Sequence, residues 1–348
     1  RMAHIYLDAM GGDNAPQSTV GGAIEALSRF ADLTIELAGP IETVQAELQK
    51  HEGYDSSRLT LTDCPEVITN DEAPVLAVRK KKNSAIVDGL LKLRDGQADA
   101  FVSAGSTGAV LAGGMFRLGR IPGVERPALA PLLPTGKSYF LLIDCGANVD
   151  CHPEWLEQFA LMGTAYMRGV RGVSEPRVGL VNNGAESEKG CALTKATYEL
   201  LEKNDRIHFV GNIEARYITH DTADVIVCDG FAGNIILKFM EGVAETLMGI
   251  IKKEITADFR GKLGALLAKP AFRRVKKTMD YSEVGGAPLL GVRGNVVKAH
   301  GSSNAHAISC AIAQAILMKN GAVVEKIEQA LVAPEGQQAA SDSITQQA

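Results

Sequence analysis

Short apolar runs of strand length alternate with helical stretches, and six of these runs stop abruptly in a turn of glycine, asparagine, aspartate and small hydroxyl residues. Ile5-Tyr6-Leu7 opens into Asp8-Ala9-Met10-Gly11-Gly12-Asp13, and Phe101-Val102 into Ser103-Ala104-Gly105-Ser106-Thr107-Gly108. The run 140–143 leads to Asp144-Cys145-Gly146-Ala147-Asn148-Val149-Asp150, and 179–181 to Asn182-Asn183-Gly184. The last two lead from 208–210 into Gly211-Asn212 and from 225–228 into Asp229-Gly230-Phe231-Ala232-Gly233-Asn234. Unbroken apolar runs between helices predict a parallel sheet covered on both faces. The expected fold class is therefore α/β, a three-layer α/β/α arrangement with a mostly parallel sheet. Such sheets bind ligands outside the carboxyl ends of their strands. Six flexible polar turns on one rim predict an anion site, because glycine lets backbone N–H groups approach closely.

The formal net charge of −5 argues against a surface devoted to nucleic acid. Positive charge is nevertheless clustered at Arg79-Lys80-Lys81-Lys82 and at Arg273-Arg274-Val275-Lys276-Lys277. Each cluster reads as a solvated helix face or as a patch for an acidic partner. The six cysteines show no C-x-x-C pair, which fits a reducing, cytoplasmic setting better than a disulfide framework. No apolar stretch reaches the ~20 residues of a membrane span. One catalytic unit over residues 2–333, with room for two lobes, is expected, followed by a polar, aperiodic and disordered tail at 334–348.

The segment 259–281 stands out. Leu263, Leu266 and Leu267 share a helical face, Pro270 interrupts, and Phe272 continues among basic residues. It reads either as an amphipathic hairpin packed on the core or against a second copy, or as a basic surface resting on an anionic bilayer.

Taken singly, each turn is a weak signal. The 103–108 turn lacks the Gly-Lys-Ser/Thr of a P-loop, and no G-x-G-x-x-G follows the first strand. Aspartates at strand ends commonly cap helices or grip turns. Lys189 projects from a turn, and Lys298-Ala299-His300-Gly301-Ser302-Ser303 places an ammonium, an imidazole and two hydroxyls before an apolar helix. Taken together, these motifs and Gly-Arg-Ile-Pro-Gly-Val-Glu-Arg-Pro-Ala at 119–128 resemble the PlsX-type phosphate acyltransferases of bacterial phospholipid synthesis. The likeness runs in order from Ile5 to about Met318 and departs from the usual pattern at Ser106, Asn183 and Ala232 without removing a charge.

The resemblance implies transfer of a fatty acyl group from acyl carrier protein to inorganic phosphate. It also implies a fold like that of isocitrate dehydrogenases and phosphotransacetylases, a homodimer, and peripheral membrane attachment that delivers product to a membrane glycerol-3-phosphate acyltransferase. No cofactor or metal is expected. Phosphate is itself the nucleophile, so the protein has to position it and stabilise an oxyanion. Lys189 is the first choice for that charge, with Lys298 and His300 next. Substrate contacts are assigned to Asp8, Gly11, Gly12, Ser103, Gly105, Ser106, Thr107, Gly108, Asn148, Asn183, Asn212, Asp229, Asn234 and Lys238. Arg79, Lys80, Lys81 and Lys82 would dock the acidic carrier, and Leu263, Leu266, Leu267 and Phe272 would touch the membrane. A competing reading, a metal-dependent decarboxylating dehydrogenase of the same fold, would use Asp224 and Asp229 as Mg²⁺ ligands. It lacks the glycine and ribose-acid signals of a nicotinamide site. A non-catalytic adaptor between carrier protein and membrane would leave six polar turns without purpose.

Overall fold

The computed structural model describes residues 2–279 and 284–332, with side chains undescribed at 276–279. The expected tail at 334–348 and the end of the 259–281 segment lie outside the described residues.

The strands divide between two sheets rather than one. The first runs in the order β3 (Leu59–Asp63), β2 (Leu33–Gly39), β1 (Ala3–Asp8), β4 (Ala100–Ser103), β12 (Asn295–Lys298), β11 (Ala287–Leu290) and β5 (Ala128–Leu129). Its strands are parallel from β3 to β12, and the last two pairings are antiparallel. The second runs β6 (Leu132–Pro134), β7 (Tyr139–Ile143), β10 (Val225–Val227), β8 (Arg177–Asn182) and β9 (His208–Glu214), parallel except for β6. The polar turns after β1 and β4 therefore belong to one sheet and the other four to the second, which corrects the expectation of one common rim. One of those four is not a turn. β9 continues to Glu214, and Gly211, at φ +94°, sits where the register with β8 slips between Val178 and Leu180. The extra residue is a β-bulge that needs a left-handed residue.

Eleven α-helices cover these sheets among the described residues: α1 (Gln17–Arg29), α2 (Ile41–Leu48), α3 (Pro74–Lys80), α4 (Ala85–Arg94), α5 (Thr107–Gly113), α6 (Pro153–Arg171), α7 (Ala192–Lys203), α8 (Gly230–Ile255), α9 (Phe259–Met279), α10 (Ala305–Asn320) and α11 (Val323–Leu331). The starts at Pro74 and Pro153 follow the sequence, whereas the cap the sequence suggests at Asn234 is Asp229 instead, and Asn234 lies inside α8. Pro74 and Pro153 occupy the first turns of α3 and α6, where a missing N–H costs nothing. Ser106, Asp229 and Asn304 cap α5, α8 and α10 by accepting from Ala109, Ala232 and Ala307 N–H groups. Core strands are buried on both faces, as their unbroken apolar runs require: Ile5, Tyr6, Leu7, Phe101, Val102 and Val296 are all at 0% exposure. α6 and α10 close the seam between the lobes, where buried Tyr166 and Gln314 hydrogen-bond at 2.9 Å.

α8 and α9 pair with each other, and α9 runs through Pro270 as one helix, where the sequence suggested an interruption. Leu263, Leu266 and Leu267 are exposed on it, whereas Phe272 is half-buried and faces α8.

Candidate active site

The order of the first sheet fixes where a site forms. β1 connects outward through β2 to β3, while β4 returns to the other side of β1. The chain thus reverses direction between β1 and β4, and a crevice opens at their carboxyl ends. Register places three side chains side by side there. Leu7 pairs with Val102, so Asp8 stands beside Ser103, and Ser103 pairs with Lys298. Asp8, Ser103 and Lys298 are all buried.

Glycine allows the loops beyond them to mesh. A Cβ at Gly11 would lie 2.6 Å from the Gly105 nitrogen and 2.7 Å from Asp8 Oδ2. Gly12, at φ +100°, brings the backbone against Gly301, whose carbonyl accepts from Asp13 N–H at 2.8 Å. The Ser103 hydroxyl donates to Asp8 Oδ2 at 2.7 Å and accepts from Gly105 N–H at 3.0 Å. Asp8 also accepts from Met10 N–H. Burial raises the Asp8 carboxyl above its ordinary value, and these hydrogen bonds with the charge of Lys298 only partly oppose the rise.

Lys298 is the unusual group. Burial lowers its ammonium to about 8; Asp8 and Asp13 favour the charge and nearby Lys238 opposes it. Its Nζ donates to the carbonyls of Ala104 and Ala299. An ammonium has three N–H groups, so one remains for a ligand. His300 lies two residues on. Its Nε2 is 3.2 Å from Lys238 Nζ, and its Nδ1 is 2.8 Å from Ser302 Oγ. The Ser302 backbone N–H also points at Nδ1, at 3.2 Å, so both ring nitrogens face a donor. Loss of solvent, then the Lys238 charge, pushes His300 below its ordinary value. Lys238 in turn pairs with Glu241 at 2.8 Å. Because Lys238 lies on α8 and His300 beyond β12, this contact joins the two lobes at one point of positive potential.

Several residues singled out in the sequence turn out to hold the scaffold. Asn148 gives its amide to Pro127 O at 2.8 Å and to Asp144 at 3.0 Å, and Asn212 gives its own to Glu186 O. Gly108 abuts Pro74, where a Cβ would lie 2.5 Å from that ring, so it serves packing of α5 on α3. Ser106 and Asp229 are committed as helix caps. Asp144, held by Leu129, Ala147 and Asn148 N–H groups, is pushed up to about 6 by burial. Thr107, Asn183 and Asn234 are exposed, Asn234 lying against Gly146. Lys189 is set apart. It is exposed on the loop after β8, which Asn182 and Asn212 tether, and its side chain makes no hydrogen bond or ion pair among the described residues. Of the docking cluster, Arg79, Lys80 and Lys82 are exposed, but Lys81 is tied to Val67 O and Glu72.

The metal reading loses its ligands. Asp224 and Asp229 flank opposite ends of β10, roughly 16 Å apart along an extended strand. Asp224 is moreover paired with Arg177 through both oxygens at 3.1 Å. Among the described residues no cluster of three metal-ligating side chains exists. Cys151 does not serve as a thiol nucleophile, since burial pushes it up to about 12. Sequence reasoning passed over Asp13, Glu241 and Ser302. Asp13 and Ser302 were inside recognised motifs, and Glu241 sits one helical turn after Lys238.

The arrangement can hold a multivalent anion between backbone N–H groups and three nitrogen bases. Comparison with known proteins is consistent with that chemistry. A family model described as "Fatty acid synthesis protein" matches residues 3–326. A phosphate acyltransferase from Clostridium acetobutylicum is 47% identical over 327 residues, covering 94% of this chain and 98% of that one. One from Clostridium botulinum is 49% identical over 324 residues, covering 93% and 96%. Among solved structures, a phosphotransacetylase from Streptococcus pyogenes superposes with a TM-score of 0.59 at 16% identity, covering 93% of this chain and 94% of that one, a likeness of fold alone.

Sulfate, whose charge is constant over the range, reads the lysine directly. Its affinity should be highest below pH 8 and fall as pH rises through about 8, because the Lys298 ammonium empties there. Lys298→Arg, which stays charged, should remove that decline in calorimetric titrations. A pH-independent wild-type affinity would contradict the assignment.

Proposed function

The chain belongs to the phosphate acyltransferase family and is an acyltransferase that uses phosphate as acceptor, and from that premise we propose that its donor is a fatty acyl thioester of acyl carrier protein and that its acyl phosphate product feeds phospholipid synthesis. The observation that carries this reading is a buried lysine poised near neutrality beside two glycine-rich turns, with His300 and Lys238 at its edge. Phosphate rests against the N–H groups of the 103–108 turn and the cations. One of its oxygens adds to the thioester carbonyl to form the C–O bond, and the C–S bond breaks as the tetrahedral intermediate collapses. The departing thiolate, with an ordinary value near ~8.5, takes a proton from an ammonium of similar acidity, Lys298. The same ammonium opposes charge on the tetrahedral oxygen before it collapses.

The geometry favours Lys298 over Lys189 in that role. In an assay of palmitoyl carrier protein plus phosphate, with acyl phosphate trapped by hydroxylamine, Lys298→Ala should lower kcat by roughly 10²–10³. Lys189→Ala should cost far less, and the opposite order would return the role to Lys189.

Arg79, Lys80 and Lys82, at the end of α3, extend from the exposed apolar pair Val75 and Leu76. A basic rim around apolar contacts suits an acidic carrier protein, chiefly by speeding encounter. Reversing the charge of Arg79 and Lys80 should raise KM for the carrier substrate with little change in kcat. An unaltered KM places docking elsewhere.

A homodimer and a cytoplasmic enzyme resting on the bilayer complete the proposal. Phe239, Val243, Leu247 and Ile250 form an exposed apolar stripe along α8 that a second copy would cover. Leu263, Leu266 and Leu267 lie exposed on α9 near Arg260 and Lys262, a pattern suited to an anionic interface rather than a span. No single helix among the described residues is long and apolar enough to cross a membrane. Product would pass there to a membrane glycerol-3-phosphate acyltransferase. In flotation with anionic vesicles, Leu266→Glu/Leu267→Glu should stay at the bottom of the gradient while the parent rises. Equal flotation would dismiss membrane contact through this helix.

A further inference from the structure

α8 is apolar on two faces, and the second face is not accounted for by the reaction centre. Opposite the outer stripe, Leu237, Met240, Met248 and Ile251 look across at α9 and are half-buried. Together with the facing side of α9 they bound a cleft of about 810 Å³, at whose near end stand His300 and Ser302. We propose that this cleft holds the acyl chain of the thioester, with the carbonyl at His300 and the tail running toward the turn between α8 and α9; the inference rests on the reaction proposed above.

Four observations support that occupant. The cleft is continuous with the cationic centre, since Lys238 and Met240 are neighbours on α8 and His300 lines both. Its volume falls inside the ~300–1,000 Å³ usual for small-molecule sites. Its length suits a fatty chain. From Leu237 to Ile255 the helix rises roughly 27 Å, room for more than the ~15 Å of one disordered acyl layer in a bilayer core, so an extended palmitoyl chain fits and reaches Gly249. Its walls are adaptable, because methionine thioethers fit chains of varying shape. Burial of each methylene against such walls favours long over short chains. A second copy would compete for α8 only from the outer stripe, on the other side of the helix.

Gly249 supplies the test. It lines the cleft, nothing lies within 4 Å of where its Cβ would be, and it is roughly 18 Å along α8 from Leu237. Gly249→Leu therefore fills the far part of the cleft and improves helix propensity rather than harming the fold. The ratio of kcat/KM for palmitoyl over butyryl carrier protein should fall roughly tenfold, as expected if about two methylenes lose their contacts. An unchanged ratio overturns the proposal. Independently of turnover, palmitic acid bearing a terminal diazirine should label peptides containing Met248, Ile251 or Ala265, and less so in Gly249→Leu. Label confined to the outer stripe or to the body of the protein overturns it. If no acyl carrier protein yields hydroxamate, the reaction itself is wrong, and the photolabel alone decides the cleft.

Discussion

A lysine buried at 8% exposure is the constraint on which the site depends. An ammonium withdrawn from water is costly unless polar partners surround it. The sheet supplies them by register: Asp8, Ser103 and Lys298 end three adjacent parallel strands at one level, and the carbonyls of Ala104 and Ala299 take two of the lysine's hydrogens. Compensation is incomplete, so the group titrates near neutrality instead of near its ordinary value. An incompletely satisfied cation in a crevice is what an incoming anion can complete. The meshing of Gly11 with Gly105 and of Gly12 with Gly301 keeps that crevice narrow.

The second lobe contributes through a single helix. α8 begins at Asp229, anchored by Gly230 and Gly233 packing on the 144–148 loop, where neither glycine has room for a side chain. That anchoring aims Lys238 at His300. Beyond it the helix continues away from the core, offering one apolar side to α9 and the other to the exterior. A helix apolar on two sides ordinarily has a partner on each. Here the enclosing partners on this reading are a substrate chain on one side and a second protomer on the other.

Much of this was legible in the chain itself. β1, β4, β7, β8 and β10 announce themselves because a strand covered on both faces must be an unbroken apolar run, and helix starts at Pro74 and Pro153 follow from the local chemistry of proline. Lys298 and His300 stood out for their setting before an apolar helix. Other readings failed for identifiable reasons. Gly211 looks like the end of a strand, but a bulge carries β9 onward, and local composition does not separate the two. Asn148 and Asn212 look like ligand groups, yet their amides are taken by carbonyls distant in sequence. Asp224 and Asp229 are close in sequence and far apart in space because a strand lies between them.

Strand and helix identity, the glycine-rich turns and the family-specific motifs are therefore properties of the sequence, because they arise from neighbours along the chain. That the strands split into two sheets, that Lys298 rather than Lys189 is enclosed, and that α8 brings Lys238 to His300 were decided only by the tertiary structure. Charge burial and register depend on which strand ends up beside which, and no local pattern encodes that order.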